Sequence, residues 1–235
     1  MFLKQVSIKF QKKDKVVMKV LTFLVTVVFF LVSPAAIAAQ KQPYCGELKN
    51  AYGPFDYMDR FNLKNELDIV EVYHFNSNVE NLISGQSSSI GGDLSYTLRA
   101  WPNHHRALVA LFKYSIKEKS TRIVGLKYPV ECYFDRAIRM NTKDAQVRSI
   151  YSAFLSHHNR NKEALKQLRV AANLEPNNAT ILYNLGLLYF KQKNYEKAGH
   201  YAKQAYALDF PLPGLRNKLI QVGKWRGSTA KDSGK

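Results

Sequence analysis

An all-α solenoid of stacked helical hairpins is the fold class this sequence predicts, and three observations predict it. The second half of the chain superposes on itself at a lag of 34 residues. Tyr151, Ser152 and Leu155 recur as Leu185, Gly186 and Tyr189, while Ala164, Leu168, Ala171 and Leu174 recur as Ala198, Ala202, Ala205 and Leu208. One lag earlier, the same register gives Val130, Phe134, Ala137 and Met140. Second, spacings of three, four and seven residues put these positions on one stripe of a helix. Third, prolines punctuate the units at Pro102, Pro176 and Pro211. A lone hairpin leaves an apolar face uncovered, and stacking neighbours covers it. Hydrophobic residues at 46% and aromatics at 12% of 235 residues are enough to fill such a core, which excludes wholesale disorder.

Taken in order, the chain opens with lysines at 4, 9, 12, 13, 15 and 19, followed by the apolar run Val20 to Val32 and by Ser33-Pro34-Ala35-Ala36-Ile37-Ala38-Ala39. That order of basic, apolar and small residues predicts an export leader over residues 1–38, cut after Ala38 or, alternatively, after Ala39. Met18 offers a second start that gives the leader ordinary length. The competing reading is an uncleaved signal anchor, since no charge occurs from Val20 through Gln40. Either way the remainder is expected outside the cytoplasm: periplasmic, or held at the inner membrane through Val20 to Val32. The only two cysteines, Cys45 and Cys132, would then sit in an oxidising space. One disulfide is expected, closing a long loop worth about 3–5 kcal/mol; two unpaired cysteines are the alternative.

Residues 39–92 form an N-terminal segment that the repeat pattern does not explain. It holds the turn Gly53-Pro54-Phe55-Asp56-Tyr57, then Asn76 or Ser77 as a cap for a helix over Val79 to Ile83, then a serine-rich flexible loop from Gly85 to Gly92. The solenoid is expected over residues 93–225. Asp93 to Ala100 reads as a lone helix, half a repeat, ahead of Pro102. First helices of three hairpins follow at 105–117, 145–157 and 179–191. The first hairpin starts 40 residues before the second although its second helix keeps the lag of 34, so six extra residues fall between its helices, around Glu118 to Gly125. Leu215, Leu219 and Val222 predict a capping helix from Leu215 to Trp225, and residues 226–235 a polar, frayed tail.

Leu182, Leu185-Gly186, Tyr189, Tyr195, Ala198, Ala202, Ala205 and Leu208 resemble a tetratricopeptide repeat, and residues 145–178 resemble one too, with Pro176 where that family ends a repeat. Ser152 in place of glycine and Arg148 in place of an apolar residue are departures. Cys45-Gly46, Gly53 to Tyr57, His74-Phe75 and Trp101 to Leu108 resemble motifs that precede such repeats in exported envelope proteins of Gram-negative bacteria. The resemblance implies a scaffold whose first helices line a concave groove for a protein or peptide partner. On the helical register the side chains free for a partner are Gln146, Ser149, Ala153 and Ser156 on one helix and Tyr183, Asn184, Leu187 and Lys191 on the next, with Asn184 foremost. The family often places an asparagine there to bond the ligand backbone, and Lys218 in the cap is a candidate for a carboxylate.

The formal charge is +17, of which the leader carries +5 and the rest +12. Such a balance favours anionic surfaces but names no partner. Lysines and arginines are scattered without the tight runs or aromatic interleaving of a nucleic-acid groove, so no nucleic acid is expected. Six histidines, at 74, 104, 105, 157, 158 and 200, form no metal-binding pattern, and neither a metal nor a cofactor is expected. Asp56, Asp59, Glu66 and Glu71 are the acids a polysaccharide hydrolase would need, with no second motif beside them. The expectation is a non-enzymatic periplasmic scaffold that binds another envelope protein or an extended peptide, with assembly of a cell-envelope complex as its setting. A membrane-anchored structural subunit is the alternative, and an envelope hydrolase a weaker one.

Overall fold

A computed structural model describes residues 44–225; the leader and the tail lie outside the described residues. Ten α-helices and no strand occur among the described residues. They are α1 (Lys64–His74), α2 (Ser77–Glu80), α3 (Ile90–Ala100), α4 (His105–Lys117), α5 (Val130–Met140), α6 (Ala145–His157), α7 (Asn161–Leu174), α8 (Ala179–Lys191), α9 (Tyr195–Ala207) and α10 (Gly214–Gln221). A 3₁₀ turn over Tyr57–Asp59 precedes them. Antiparallel pairs α4/α5, α6/α7 and α8/α9 stack in sequence, each first helix also packing on the next, and α10 closes the stack against α8 and α9. No helix among the described residues is long and apolar enough to cross a membrane.

Local chemistry repeats with the hairpins. First helices begin at side chains that accept a backbone N–H of their own first turn: His104 from Ala107, Asp144 from Val147 and Asn178 from Ile181. They end in the same register at Lys119, Asn159 and Lys193, each with φ between 49° and 60°. At these three residues the chain reverses out of the helix. The following N–H groups, of Ser120, Arg160 and Asn194, bond back to the carbonyls of Ser115, Leu155 and Tyr189, which satisfies acceptors the helix end would leave open. Gly186 sits where α8 lies close against α9 and α10. A Cβ there would meet Leu215 Cδ2 at 2.5 Å and the Ala198 carbonyl at 3.2 Å.

Ala164, Leu168, Ala171, Ala198, Ala202 and Ala205 are buried, as the repeat register requires. Leu174 and Leu208, the last positions of that stripe, are instead more than one-third exposed, because the helices end there and no neighbour reaches over them. The inserted segment lies between α4 and α5 and folds back on α3. Ile123 is buried, Lys127 N–H donates to Ser95 Oγ at 3.2 Å and to Tyr133 Oη at 3.1 Å, and Gly91 leaves room for the Val124 carbonyl.

The N-terminal part differs most from the sequence reading. The expected lone helix starts three residues earlier, at Ile90, with Ser89 as its cap, and it is not alone: α1 packs on it, so the stack begins with a full, degenerate hairpin. The short helix is Ser77–Glu80, capped by Asn76, and not Val79 to Ile83. The serine loop is organised by one buried carboxylate, Asp93, which accepts N–H groups from Gln86, Ser87 and Ser88. The capping helix ends at Gln221, four residues short of Trp225.

Two devices hold residues 44–57 in place. Cys45 and Cys132 form a disulfide with Cα atoms 5.0 Å apart. Beside it Arg136, almost fully buried, donates to the carbonyls of Cys45 and Glu47 and stacks on Tyr128, while Arg139 donates to the Gly46 carbonyl at 2.8 Å. Further along, Tyr57, Val70, Ala100 and Trp101 form a second small core, with Phe55 and Tyr52 against it.

Candidate functional site

First helices α4, α6 and α8 form one side of the stack. On α6 the small side chains Ser149, Ala153 and Ser156 share a face; on α8 Asn184, Leu187 and Lys191 share the corresponding one. With Phe112 from α4 and Leu168 beneath, they line a groove of about 410 Å³. Asn184 Nδ2 donates to Ser149 Oγ at 3.4 Å, and Lys191 Nζ to the Ser156 carbonyl at 2.9 Å, so two polar ties cross the floor from one helix to the next. Hydroxyls, an amide and one ammonium alternate there with Leu187, Leu188 and Phe112, and among the described residues no carboxylate lines the groove. The chemistry suits an extended polypeptide: donors and acceptors for its backbone, and apolar surface for alternate side chains. A larger cleft of about 840 Å³ beside α9 is rimmed by Lys193, His200, Lys203 and Lys224 against Glu196 alone. Long exposed side chains make it a hydrated basic surface without a built wall.

Of the residues expected to face a partner, the structure brings Ser149, Asn184, Leu187 and Lys191 together in this groove. Gln146, one turn before Ser149 and half-buried, does not line it. Tyr183 is a correction. It is buried, its ring stacks on Phe210 with centroids 4.1 Å apart, and its hydroxyl accepts the Leu215 N–H at 3.2 Å. Adjacent helical residues point about 100° apart, and the side next to Asn184 is the one that α10 covers. Lys218 is exposed on α10, in the cap, and does not line this groove.

Three of the four acids considered for hydrolysis are engaged in other contacts. Asp56 accepts from Asn103 at 2.6 Å and from Asn141 at 2.8 Å, and Glu71 from His104 at 3.0 Å and Arg106 at 3.3 Å. Asp59 accepts from Asn62 on the surface, and Glu66 lies in the first turn of α1. These contacts belong to a polar seam that joins residues 52–80 to the stack. Asn103 is its hub: Oδ1 accepts the Tyr57 N–H at 2.9 Å, and Nδ2 donates both to Asp56 and to Asp144. His105 Nε2 donates to Asp144 at 2.8 Å, and His74 meets Asp93 at 3.0 Å.

Electrostatics follow from those contacts. Burial disfavours the charged form of His104 and holds its pKa below the ordinary 6.5, although Glu71 pulls the other way. Burial also works against ionised Asp93 and Asp144, but hydrogen bonds outweigh it: His74, Gln86 and Ser88 hold Asp93 below the usual carboxylate value, and His105, Val147 and Asn103 do so for Asp144. Three of the six histidines are thus structural partners of carboxylates. No group of three or more His, Cys, Asp or Glu is placed to hold a metal among the described residues.

Two family models match the chain: TPR repeat over residues 158–193 and tetratricopeptide repeat over residues 179–210. No curated protein matches it. Among solved structures, Pseudomonas aeruginosa pilF is similar at 20% identity and a TM-score of 0.49, over 70% of this chain and 71% of that one. YrrB, a TPR protein with an unusual peptide-binding site, is 20% identical with a TM-score of 0.42, over 68% of this chain and 72% of its own. MamA is 17% identical with a TM-score of 0.40, over 72% and 95% respectively.

Proposed function

We propose, on the premise that residues 158–210 are tetratricopeptide repeats, that this protein is an exported scaffold holding an extended segment of another cell-envelope protein in the α6–α8 groove. The observation that carries the reading is the groove itself, where Ala153, Asn184, Leu187 and Lys191 present mixed polar and apolar chemistry that the stack does not bury. Two features support export. The lysine-rich, apolar and small-residue order of residues 1–39 is that of a leader, and the Cys45–Cys132 bridge belongs in an oxidising compartment. Assembly of an envelope complex is the setting such a scaffold suits. A second reading, a subunit anchored by a retained Val20 to Val32 segment, draws on the uncharged run through Gln40.

Two measurements test this. Mass spectrometry of the protein from fractionated cells should find an N-terminus at Ala39 or Gln40 in the periplasmic fraction; a retained residue 20–32 segment in the membrane fraction favours the anchored subunit. Asn184→Ala combined with Leu187→Glu should lower partner capture at least tenfold with unchanged thermal stability, while Lys218→Ala, outside the groove, leaves capture intact. Equal capture by all three proteins would remove the groove from the function.

A further inference from the structure

A solenoid needs both ends finished, because a terminal hairpin has a neighbour on one side only. Here eight of the fourteen large apolar side chains left exposed among the described residues belong to the two ends. At the N-terminal end Ile69, Val72 and Tyr73 are each more than half exposed and stand three and four residues apart on α1, and Met58 and Phe61, just before the helix, are exposed as well. The opposite face of α1 is already used: Val70 is fully buried and Leu67 packs with it on Trp101. This helix is therefore apolar on two sides, one covered and one open.

The C-terminal end has the converse defect. Every preceding unit is a pair of helices, whereas among the described residues α10 has no following helix packed on it, its Leu215 and Leu219 being buried against the stack. Ile220 on the same helix, Leu212 before it and Val222 after it are exposed. The ends also differ in charge. Around α10 lie Lys203, Arg216, Lys218 and Lys224 against Asp209, and around α1 lie Asp59, Glu66 and Asp68 against Arg60 and Lys64. Two C-terminal ends brought together would set like charges against each other, whereas an N-terminal end meeting a C-terminal end brings carboxylates to lysines.

We propose that the open face of α1 docks a second copy of this chain, packing on the exposed apolar side of that copy's α10. Such a head-to-tail contact is heterologous: each copy keeps one free head and one free tail, so association continues beyond two copies. Grooves of successive copies would then form one longer binding face. The inference stands independently of what the groove holds.

Sedimentation velocity tests it on protein purified from cells expressing the full chain, together with Val72→Asp, which spoils the head, and Ile220→Asp, which spoils the tail. The wild type is expected to grow with concentration past the dimer and to dissociate as salt is raised. Each variant alone should stay monomeric with a wild-type melting curve, and their equimolar mixture should give a dimer and nothing larger. A wild type that stays monomeric across the micromolar range overturns the proposal, as does Ile220→Asp forming dimers alone, which would mean that α1 pairs with itself. Should either variant melt early, Tyr73→Lys and Lys218→Glu probe the same two faces with the same expected outcomes.

Discussion

At the residue scale, His104 shows how one side chain serves two parts of the fold. Its Nδ1 accepts the Ala107 N–H as the cap of α4, and its Nε2 donates to Glu71 on α1, so only the neutral ring satisfies both. The folded pKa lies below the unfolded one, so its contribution is complete above about pH 6.5 and is lost as pH falls through that value, where the unfolded chain takes up a proton first. Asp93 and Asp144, also lowered, contribute above the ordinary carboxylate value and lose their contribution as pH falls through their folded pKa values, below 3.8. Stability measured by urea unfolding should be flat above pH 7, fall from about pH 6.5 and fall again below about pH 4. His104→Asn, which keeps a cap, should remove the first decline and keep the second; an unchanged profile would separate His104 from acid lability. Gly186 is the other decisive residue. Gly186→Val should cost about 1–3 kcal/mol by overpacking against Leu215, read from urea midpoints.

Residues also mark where sequence reasoning runs out. The motifs Gly53 to Tyr57 and Trp101 to Leu108 stand out in the chain, yet nothing local says that Asn103 bonds the Tyr57 N–H, a partner 46 positions away. Tyr183 fails for the same reason: helical period assigns it to an open stripe, and the covering helix comes more than thirty residues later. That Ser149, Asn184, Leu187 and Lys191 share one side of the stack follows from the helical period alone, because groove and core in this fold obey a single period, which the lag of 34 fixes.

Among elements, the three first helices are the best-specified, since cap, stripe and reversal recur together at His104, Asp144 and Asn178 and at Lys119, Asn159 and Lys193. The reversals place non-glycine residues in left-handed backbone, which costs on the order of 1 kcal/mol each. Lys193→Gly should accordingly raise stability by about 0.5–1 kcal/mol, a shift visible in the urea midpoint; a decrease would mean that the lysine side chain itself is needed. By contrast no repeat spacing marks α1 as part of a hairpin, because α2 and the Asp93-centred loop separate it from α3. The strap over residues 44–57 is held by the disulfide, two arginines and the Asn103 hub. Replacing both cysteines by serine should lower stability by about 3–5 kcal/mol, because residues 87 apart are no longer tied in the unfolded chain. Retained arginine contacts should keep the strap protected from proteolysis at low temperature.

For the whole molecule, periodicity predicts a stack of hairpins with an insertion and a cap, and the described residues form such a stack. What no pattern could supply is the set of long-range joints: the seam through Asn103, the pairing of α1 with α3, and the cover over Tyr183. These joints decide which surfaces remain open, and hence where a partner can sit. The central claim is that the open surface between α6 and α8 is a polypeptide-binding groove. Its most direct test is site-specific photo-crosslinking in cells, with a photoreactive residue in place of Ala153 on the groove floor and, as control, in place of exposed Lys166 on α7. The account predicts a discrete protein adduct at position 153 that is absent at 166 and lost when Asn184→Ala and Leu187→Glu are added. Adducts of equal yield at both positions, or an adduct at 153 indifferent to those two substitutions, would contradict it.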